Sequence, residues 1–243
     1  MSTNIRFATG LDIGSAFTRC AICVLEDQRL RLVGYGEAPA RGWLKGRLSD
    51  QQAASESVRE AVEEAESVAG TSIDAAVIGV GGGTIHSSNS RGLYEFGRPR
   101  EIDPGDLGYA VELASKVRLE DDRLLLQVVP QDFTLDGRAG YRNPRGATCA
   151  RLEANVHVIT TSLQEHSALV AAVHQAHLAV EETVFEPLAA AYGGILQEDR
   201  ARGVALLDIG MHSTDLVIYD GEALLRASSI AIGGDHFTRD VAY

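Results

Sequence analysis

The stretch VALLDIGMHSTDLVIYDGE at residues 204–222 joins two apolar runs through a short segment that begins at Asp208 and contains Gly210. Apolar runs interrupted by a glycine-containing turn predict a strand, a tight turn and a second strand. A buried strand rarely ends in an acid for packing reasons alone. The carboxylate at the mouth of this turn therefore indicates a functional site.

The same arrangement occurs near the start of the chain. LDIGSAFT at 11–18 matches LDIGMHST at 207–214 at five of eight positions, and an apolar run follows each copy, at 20–25 and at 215–220. The distance between the copies is too long for a solenoid repeat. The duplication predicts two related lobes, each of which presents one Asp-Ile-Gly turn.

The two turns have the composition of a site for a magnesium-bound phosphate. Gly14 and Gly210 lack a Cβ atom, so their backbone N–H groups can approach an anion closely. Asp12 and Asp208 would repel phosphate unless a hard cation lies between them, and we predict both as water-mediated Mg²⁺ ligands. The alternative is that Asp and Gly serve only turn geometry. Three hydroxyl side chains are candidates to bind phosphate, with turn capping as their alternative role: Ser15, Ser213 and Thr214.

Composition restricts the classes of function. The chain has 243 residues and a formal net charge of −12, which argues against nucleic-acid binding, since that needs basic patches. It contains no run of about eighteen apolar residues, and its first ten residues lack the apolar core of a signal peptide. Three cysteines are typical of a reducing cytoplasm. Cys20 and Cys23 are expected on opposite faces of a strand, which excludes a redox or zinc pair.

The first 83 residues predict three strands, a helix and a fourth strand, which is an α/β pattern. The strands are expected near 5–13, 19–25, 30–38 and 75–83, and the helix over 49–70. Ser49 or Asp50 is the predicted helix cap and Gly70 its end. The apolar stripe of the helix is predicted at Ala54, Val58, Ala61, Val62, Ala65 and Val68.

The α/β pattern of the sequence is interrupted between 84 and 161, where we predict an inserted subdomain. TIHSSNSRGLYEF predicts two short strands around Asn-Ser-Arg-Gly at 89–92, and Asp103 followed by Pro104 predicts a capped helix start. The α/β pattern then resumes, and it includes a helix over EPLAAAYGGILQE at 186–198.

Two Asp-Ile-Gly turns with FEPLAAAYG between them resemble the actin-like ATPase superfamily. Within it, the inserted segment resembles the FtsA family of bacterial cell-division proteins. The resembling stretches are SSNSRG at 87–92, VVPQDFTLDGRAGYRNPRGATCARLEANVHVIT at 128–160, EPLAAAY at 186–192 and AIGGDHFTRDVA at 231–242.

The resemblance implies an actin-like, ribonuclease H-like ATPase fold that binds ATP and Mg²⁺ and hydrolyses ATP slowly at most. It implies that the first lobe (1A) comprises 1–83 and 162–198, that the inserted subdomain (1C) comprises 84–161, and that 199–243 begins an incomplete second lobe (2A).

The resemblance also implies roles for single residues. Glu186 matches the position that helps to place the attacking water, with a helix N-terminal acid as the alternative. Gly233 and Gly234 match a glycine pair near the nucleotide, with a plain strand-to-helix turn as the alternative. The family usually has further glycines where this chain has Met211 and His212. We expect these side chains to crowd the phosphate or to shift the turn.

The implied role is a filament-forming adaptor that links FtsZ to the membrane at the cytoplasmic face of the division site. The adenine-binding motif, the FtsZ-binding subdomain and the C-terminal membrane helix of the family are not found here, so we expect a fragment or a short relative. One alternative is a PilM-like or degenerate partner-binding module. Another is a sugar or acid kinase of the same superfold, since fold does not decide function.

Overall fold

The structure, a computed structural model, describes residues 6–26 and 29–242. Its strands are β1 (Arg6–Ile13), β2 (Phe17–Glu26), β3 (Arg29–Pro39), β4 (Trp43–Leu44), β5 (Arg47–Leu48), β6 (Ala75–Val80), β7 (His86–Glu101), β8 (Arg123–Leu135), β9 (Arg138–Tyr141), β10 (Thr148–Ser162), β11 (Ala179–Phe185), β12 (Val204–Ile209), β13 (Thr214–Asp220) and β14 (Ala223–Ile230). Its helices are α1 (Gln51–Ala69), α2 (Pro104–Ser115), α3 (Leu163–Gln175), α4 (Glu186–Gly194), α5 (Gln197–Arg202) and α6 (Gly234–Val241). Residues 5 and 243, which belong to a predicted strand and to the predicted second lobe, lie outside the described residues. No helix in the described part is long and apolar enough to cross a membrane.

A five-stranded sheet in the order β11-β6-β1-β2-β3 carries the first Asp-Ile-Gly turn. Strands β1, β2 and β3 are antiparallel neighbours, whereas β6 runs parallel to both β1 and β11. The residues of β2 are alternately buried and half-buried, so Cys20 and Cys23 lie on opposite faces, and both are free thiols. The prediction that these two cysteines lie on opposite faces of a strand is therefore confirmed.

Helix α1 covers one face of this sheet. The Asp50 side chain caps its first turn and Gly70 ends it in the left-handed conformation, as predicted. The helix lies very close to β3, because a Cβ atom on Gly36 would meet the backbone of Ala61 and Ala65. Small residues on both elements therefore determine this helix–sheet distance.

Two helix predictions are wrong in detail. Val68, predicted in the apolar stripe of α1, is 64% exposed. Ala69 faces the sheet instead, since its Cβ lies 2.8 Å from where a Cβ atom on Gly34 would be. The single helix predicted over 186–198 is divided into α4 and α5, because Ile195 after the glycine pair at 193–194 is extended.

A second sheet, in the order β7-β10-β8-β9, is antiparallel and has its own apolar cluster against α2. The prediction of two short strands around 89–92 is wrong, because β7 runs over 16 residues and pairs with β10 along most of them. Gly92 serves packing and not a turn, since a Cβ atom there would meet the backbone of Ala110 and Ala114 in α2. Asp103 caps α2 as predicted.

A third sheet, in the order β12-β13-β14, is antiparallel and carries the second Asp-Ile-Gly turn. Val217, Leu224 and Ala227 of this sheet belong to the same apolar cluster as Ile78 of the five-stranded sheet. The two copies of the hairpin therefore share one core, and this core holds their turns on opposite sides of a common space.

Candidate functional site

A cleft of about 500 Å³ lies between the two Asp-Ile-Gly turns. Its walls also include the glycine-rich segment after β6 and the first residue of α4. Most predicted site residues line this cleft: Asp12, Gly14, Ser15, Glu186, Asp208, Gly210 and Ser213. Three others are not among the described residues that line it: Thr214, Gly233 and Gly234.

The first turn holds its carboxylate beside a cation. Asp12 lies opposite Arg19 in the hairpin, and its Oδ2 is 3.4 Å from Nη1 of Arg19. Arg19 also donates from Nε to Glu37 at 2.7 Å. A Cβ atom on Gly14 would lie 2.8 Å from the carbonyl oxygen of Phe17, so the turn requires glycine there. Our sequence analysis did not single out Arg19, whose position opposite Asp12 is the signal that would have identified it.

The second turn is supported by the start of α6. The N–H of Gly234 donates to the carbonyl oxygen of Gly210 at 2.9 Å, and a Cβ atom on Gly233 would lie 2.5 Å from the same oxygen. The hydroxyl of Thr214 donates to the carbonyl oxygen of Ile232 at 2.7 Å. These three predicted residues therefore lie around the turn and hold its backbone, and a direct nucleotide contact stays a prediction for each.

Met211 and His212 line the cleft on the side of the short β4–β5 hairpin. The Cβ of His212 lies 3.1 Å from where a Cβ atom on Gly46 of that hairpin would be. Gly46 has a φ of 77°, a conformation that favours glycine. His212 therefore lies against the β4–β5 hairpin, while the expected crowding of phosphate stays a prediction.

The side chain of Glu186 packs against two glycines, Gly79 in β6 and Gly81 in the segment that follows β6. A Cβ atom on Gly79 would lie 2.5 Å from Cγ of Glu186, and one on Gly81 would contact its Oε2. Any larger residue at these positions would displace the carboxylate. The run VIGVGGG therefore determines where the acid lies, and this use of the glycines was not predicted.

Burial and neighbouring negative charges raise the pKa values of Glu186 and Asp12. Burial raises the pKa of Glu186 well above its ordinary value, and the charges of the three neighbouring aspartates raise this pKa further. Burial also raises the pKa of Asp12, while Arg19 acts in the opposite direction. The charge of Asp208 adds to the rise at Asp12, so the two turns bring their carboxylates within electrostatic reach of each other.

Asp215 is a functional candidate that the sequence analysis missed. It is 4% exposed and lines the cleft from the second hairpin. Its Oδ2 accepts a hydrogen bond from the N–H of Gly82, on the opposite wall, at 3.4 Å. Its Oδ1 is buried and accepts no hydrogen bond of ordinary geometry, although Ser229 lies opposite it in the β13–β14 ladder. Burial raises the pKa of the Asp215 carboxyl group, while the Ser229 hydroxyl and the N–H of Gly82 act in the opposite direction. The sequence signal that could have identified Asp215 is the duplication, because Asp215 in the second copy corresponds to Arg19 in the first.

The donor set fits a hydrated cation better than a directly bound one. Among residues 6–26 and 29–242, no three side chains of His, Cys, Asp or Glu form a group that could hold a metal ion. The buried carboxylate of Asp215 and the surrounding carboxylates nevertheless favour positive charge. Mg²⁺ keeps several waters and takes few carboxylates together with phosphates, so these residues fit a water-bridged Mg²⁺.

Comparison with solved structures identifies the class of fold. The chain matches a structure of the PilM-PilN type IV pilus biogenesis complex with a TM-score of 0.68 and 19% identity, over 97% of this chain and 64% of that one. It matches ethanolamine utilization protein EutJ from Carboxydothermus hydrogenoformans with a TM-score of 0.55 and 16% identity, over 98% of this chain and 56% of that one. At these identities the likeness concerns the fold alone. The protein has the actin-like ATPase fold, as predicted.

Comparison of sequences identifies the family within this class. A family model described as the SHS2 domain inserted in FtsA matches residues 82–160. Cell division protein FtsA of Pseudomonas aeruginosa is 34% identical over 238 residues, which are 98% of this chain and 57% of that protein. Its counterpart in Borreliella burgdorferi is 35% identical over 245 residues, or 100% of this chain and 59% of that protein. Cell division protein FtsA of Escherichia coli K12 is 31% identical over 243 residues, which are 100% of this chain and 58% of that protein. The chain belongs to the FtsA family, and it spans less than two thirds of the length of these relatives.

Proposed function

We propose that this chain is the nucleotide-binding part of an FtsA-like adaptor of the bacterial division ring. Its relatives are named as cell division proteins, and it matches them over its whole length. By the family resemblance, the adaptor forms filaments and links FtsZ to the cytoplasmic face of the inner membrane. Nucleic acid is not a proposed partner, because the net charge is −12.

The proposed ligand of the cleft is ATP with Mg²⁺. Asp12 and Asp208 hold the hydrated cation from opposite sides. The backbone of the two turns contacts the phosphates, with the help of hydroxyl groups. Glu186 orients the water that attacks in a slow hydrolysis. The residues assigned to phosphate or nucleotide are Gly14, Ser15, Gly210, Ser213, Thr214, Gly233 and Gly234.

The domain boundaries form part of the proposal. Residues 1–83 and 162–198 are assigned to the first lobe, 84–161 to the inserted subdomain and 199–243 to the second lobe. This division is supported by the separate apolar cluster of the four-stranded sheet. It is also supported by the two duplicated hairpins, which lie in different sheets.

One observation carries the nucleotide assignment: two copies of the same turn face one cleft of about 500 Å³, each with a carboxylate at its mouth. An ordinary hairpin turn explains one copy but not their convergence. The buried carboxylate of Asp215 supports the same conclusion, because a buried charge that is favoured only by neutral donors, Gly82 and Ser229, is costly until a cation reaches it.

Amide chemical-shift mapping of the 243-residue chain with Mg-ATP tests the proposal. Shift changes are expected at Gly14, Gly82 and Gly210. The control is AMP, which lacks the β- and γ-phosphates and should change these amides much less. No shift at these glycines with millimolar Mg-ATP, or equal shifts with AMP, would contradict the assignment.

A second candidate function is a partner-binding module that has lost its nucleotide site. The observation that favours it is the contact of His212 with Gly46, where the family usually has glycine in place of His212. This module would give no nucleotide-dependent shifts. A sugar or acid kinase is a weaker candidate, since the inserted segment matches the FtsA family model. Phosphoryl transfer to a sugar in the same sample would support the kinase.

A further inference from the structure

Side chains of the four-stranded sheet form hydrogen bonds with the main chain of β14. Oγ of Ser87 donates to the carbonyl oxygen of Ala227 at 2.5 Å, and the N–H of Ala227 donates to Nε2 of His157 at 3.0 Å. Further along, Nε2 of Gln131 donates to the carbonyl oxygen of Leu224 at 2.8 Å. Both backbone groups of Ala227 are therefore satisfied by side chains of the other sheet.

These contacts require one tautomer of His157. Because the N–H of Ala227 donates to Nε2, this nitrogen must carry its lone pair, and the proton of the neutral ring is on Nδ1. That proton is donated to Oδ1 of Asn89, which lies 2.6 Å from Nδ1. A protonated imidazole is a donor at both nitrogens, so it cannot accept from Ala227.

The surroundings of His157 contain no compensating negative charge in the described part of the chain. The side chain is 3% exposed. Across the ladders, β7 presents the neutral Asn89 and β8 presents Val129. The charged group that acts on it is Arg226 of β14, and burial together with this cation lowers the pKa of His157 below its ordinary value. Its loss of affinity for protons agrees with a histidine that must be neutral to hold its two partners.

We propose that His157 is a pH-sensitive latch between the four-stranded sheet and β14. When the ring is neutral, the latch holds Ala227. When the ring is protonated, two donors face each other at Nε2, and β14 separates locally from the sheet. Strand β14 leads into Gly233 and Gly234, which support the second turn of the cleft. The latch therefore connects the inserted sheet to the position of that turn, whether or not the cleft binds nucleotide.

The direction of the pH dependence follows from the lowered pKa. Between the lowered pKa of the latched state and the ordinary value of 6.5, the released state binds more protons than the latched state. Latching is therefore at full strength above pH 6.5 and weakens as pH falls through this window. Since one proton is involved, the equilibrium changes by at most about tenfold for each pH unit.

Amide hydrogen exchange of the 243-residue chain between pH 7.5 and 5.0 tests the latch. The measured quantity is the protection factor of the Ala227 amide. This factor is the ratio of the intrinsic to the observed exchange rate at the same pH, so the intrinsic pH dependence of exchange cancels. We expect this protection factor to fall by up to about tenfold for each pH unit below pH 6.5, the ordinary pKa of histidine. The amides of Val156 and Val158 in the centre of β10 should keep their protection, which separates release of the latch from unfolding of the sheet. A constant protection factor at Ala227 would overturn the proposal.

Three variants sharpen this test. Asn89→Asp places a carboxylate beside Nδ1, stabilises the protonated ring and should move the loss of protection to higher pH. His157→Gln should remove the pH dependence. His166→Gln is the matched control, because burial also lowers the pKa of His166, but its Nε2 contacts Thr183 and not β14. Retention of the pH dependence in a folded His157→Gln, or no displacement in Asn89→Asp, would refute the latch. If His157→Gln does not fold, the wild-type and Asn89→Asp titrations decide.

Discussion

The β1–β2 and β12–β13 hairpins have the same backbone register but opposite charge arrangements. In the first hairpin Asp12 lies opposite Arg19, and in the second Asp208 lies opposite Asp215. The first turn therefore places an acid beside a base, whereas the second places two acids together. A duplicated motif has kept its geometry and changed its electrostatics.

The difference indicates which hairpin depends on a cation. Asp12 has a charged partner at 3.4 Å before any ligand arrives. Asp215 has no cationic partner, and only the N–H of Gly82 and the hydroxyl of Ser229 favour its charged form. If the cleft binds Mg²⁺ as proposed, the second hairpin would therefore supply more of the negative charge that attracts the cation, and the first would limit the total repulsion.

The two turns also differ in what holds their backbone. The first is held by neighbouring strands of its own sheet, with Gly14 against the carbonyl group of Phe17 and the N–H of Ala40 donating to the carbonyl oxygen of Ala16 at 3.0 Å. The second depends on the following helix, because Gly234 donates to Gly210 and Gly233 lies against the same carbonyl group. Substitutions in the helix start should therefore disturb the second turn from outside it.

The largest effect is expected when the support of the second turn by the start of α6 is disturbed. Gly233→Ala would place a Cβ atom 2.5 Å from the backbone oxygen of Gly210, which cannot move as a side chain can. We expect a loss of about 3 kcal/mol in the free energy of unfolding, at the upper end for overpacking. Gly234→Ala is the matched control, since its Cβ would lie at an ordinary 3.7 Å from the same oxygen. Chemical denaturation of both variants gives the comparison, and equal stabilities would show that α6 does not support the turn.

The next effect concerns the two carboxylates at the turn mouths. Asp12→Asn and Asp208→Asn each remove one charge and keep a side chain that suits a turn. Each should weaken Mg-ATP binding by ~1–3 kcal/mol, the range for a hydrogen bond to a charged group, or roughly ten- to hundredfold. The larger loss is expected at Asp208, because Arg19 already offsets Asp12. Titration of the amide shifts gives the ratios of Kd. Unchanged affinity in both variants would remove the aspartates from the site.

Asp215→Asn should make the protein more stable at neutral pH. The carboxyl group is buried and its pKa is raised, so the folded state binds its proton more tightly than the unfolded state does. Stability from this group is therefore greatest at low pH and is lost as pH rises through the raised pKa. The neutral amide avoids that loss, and we expect a gain of ~1 kcal/mol at pH 7, or about 2 to 4 °C in Tm.

The control for Asp215→Asn is Asp12→Asn, in which loss of the ion pair with Arg19 opposes the gain from removing a partly buried charge. Because these two effects offset each other, its stability at pH 7 should change by less than about 1 kcal/mol in either direction. Thermal unfolding of both variants at pH 5 and pH 7 makes the comparison. A Tm of Asp215→Asn at or below that of the wild type at pH 7 would show that its charge is compensated in solution.

Much of the site was predictable because both turns contain their signals locally. The Asp-Ile-Gly repeat is visible as a string, and strand periodicity places Asp12 and Asp208 at strand ends. Asp215 and Arg19 were missed because their importance depends on cross-strand register, which a single strand does not show. The role of Gly79 and Gly81 was missed for the same reason, since it depends on Glu186 arriving from a distant helix.

The errors in the fold have a related cause. Local turn propensity at 89–92 favoured a break, but pairing of β7 with β10 keeps the strand continuous. Gly92 is required by the approach of α2, a tertiary contact that no window of neighbouring residues contains. In the helix over 186–198, the glycine pair was visible, but the sequence did not show that the chain would become extended at Ile195.

The smallest expected effect tests whether the second turn is narrowed by His212. His212→Gly removes the side chain that lies against Gly46 and restores the small residue usual in the family. We expect Mg-ATP to bind about threefold more tightly, which is less than 1 kcal/mol. Stability should fall by roughly 0.5–1 kcal/mol, because glycine loses more backbone entropy on folding. Met211→Gly is the control, since Met211 also lines the cleft but the atoms nearest to a Cβ atom on Gly46 belong to His212. If His212→Gly leaves the affinity unchanged or lowers it, the histidine is not an obstacle but part of the site, and the two turns differ in how they bind phosphate and not only in charge.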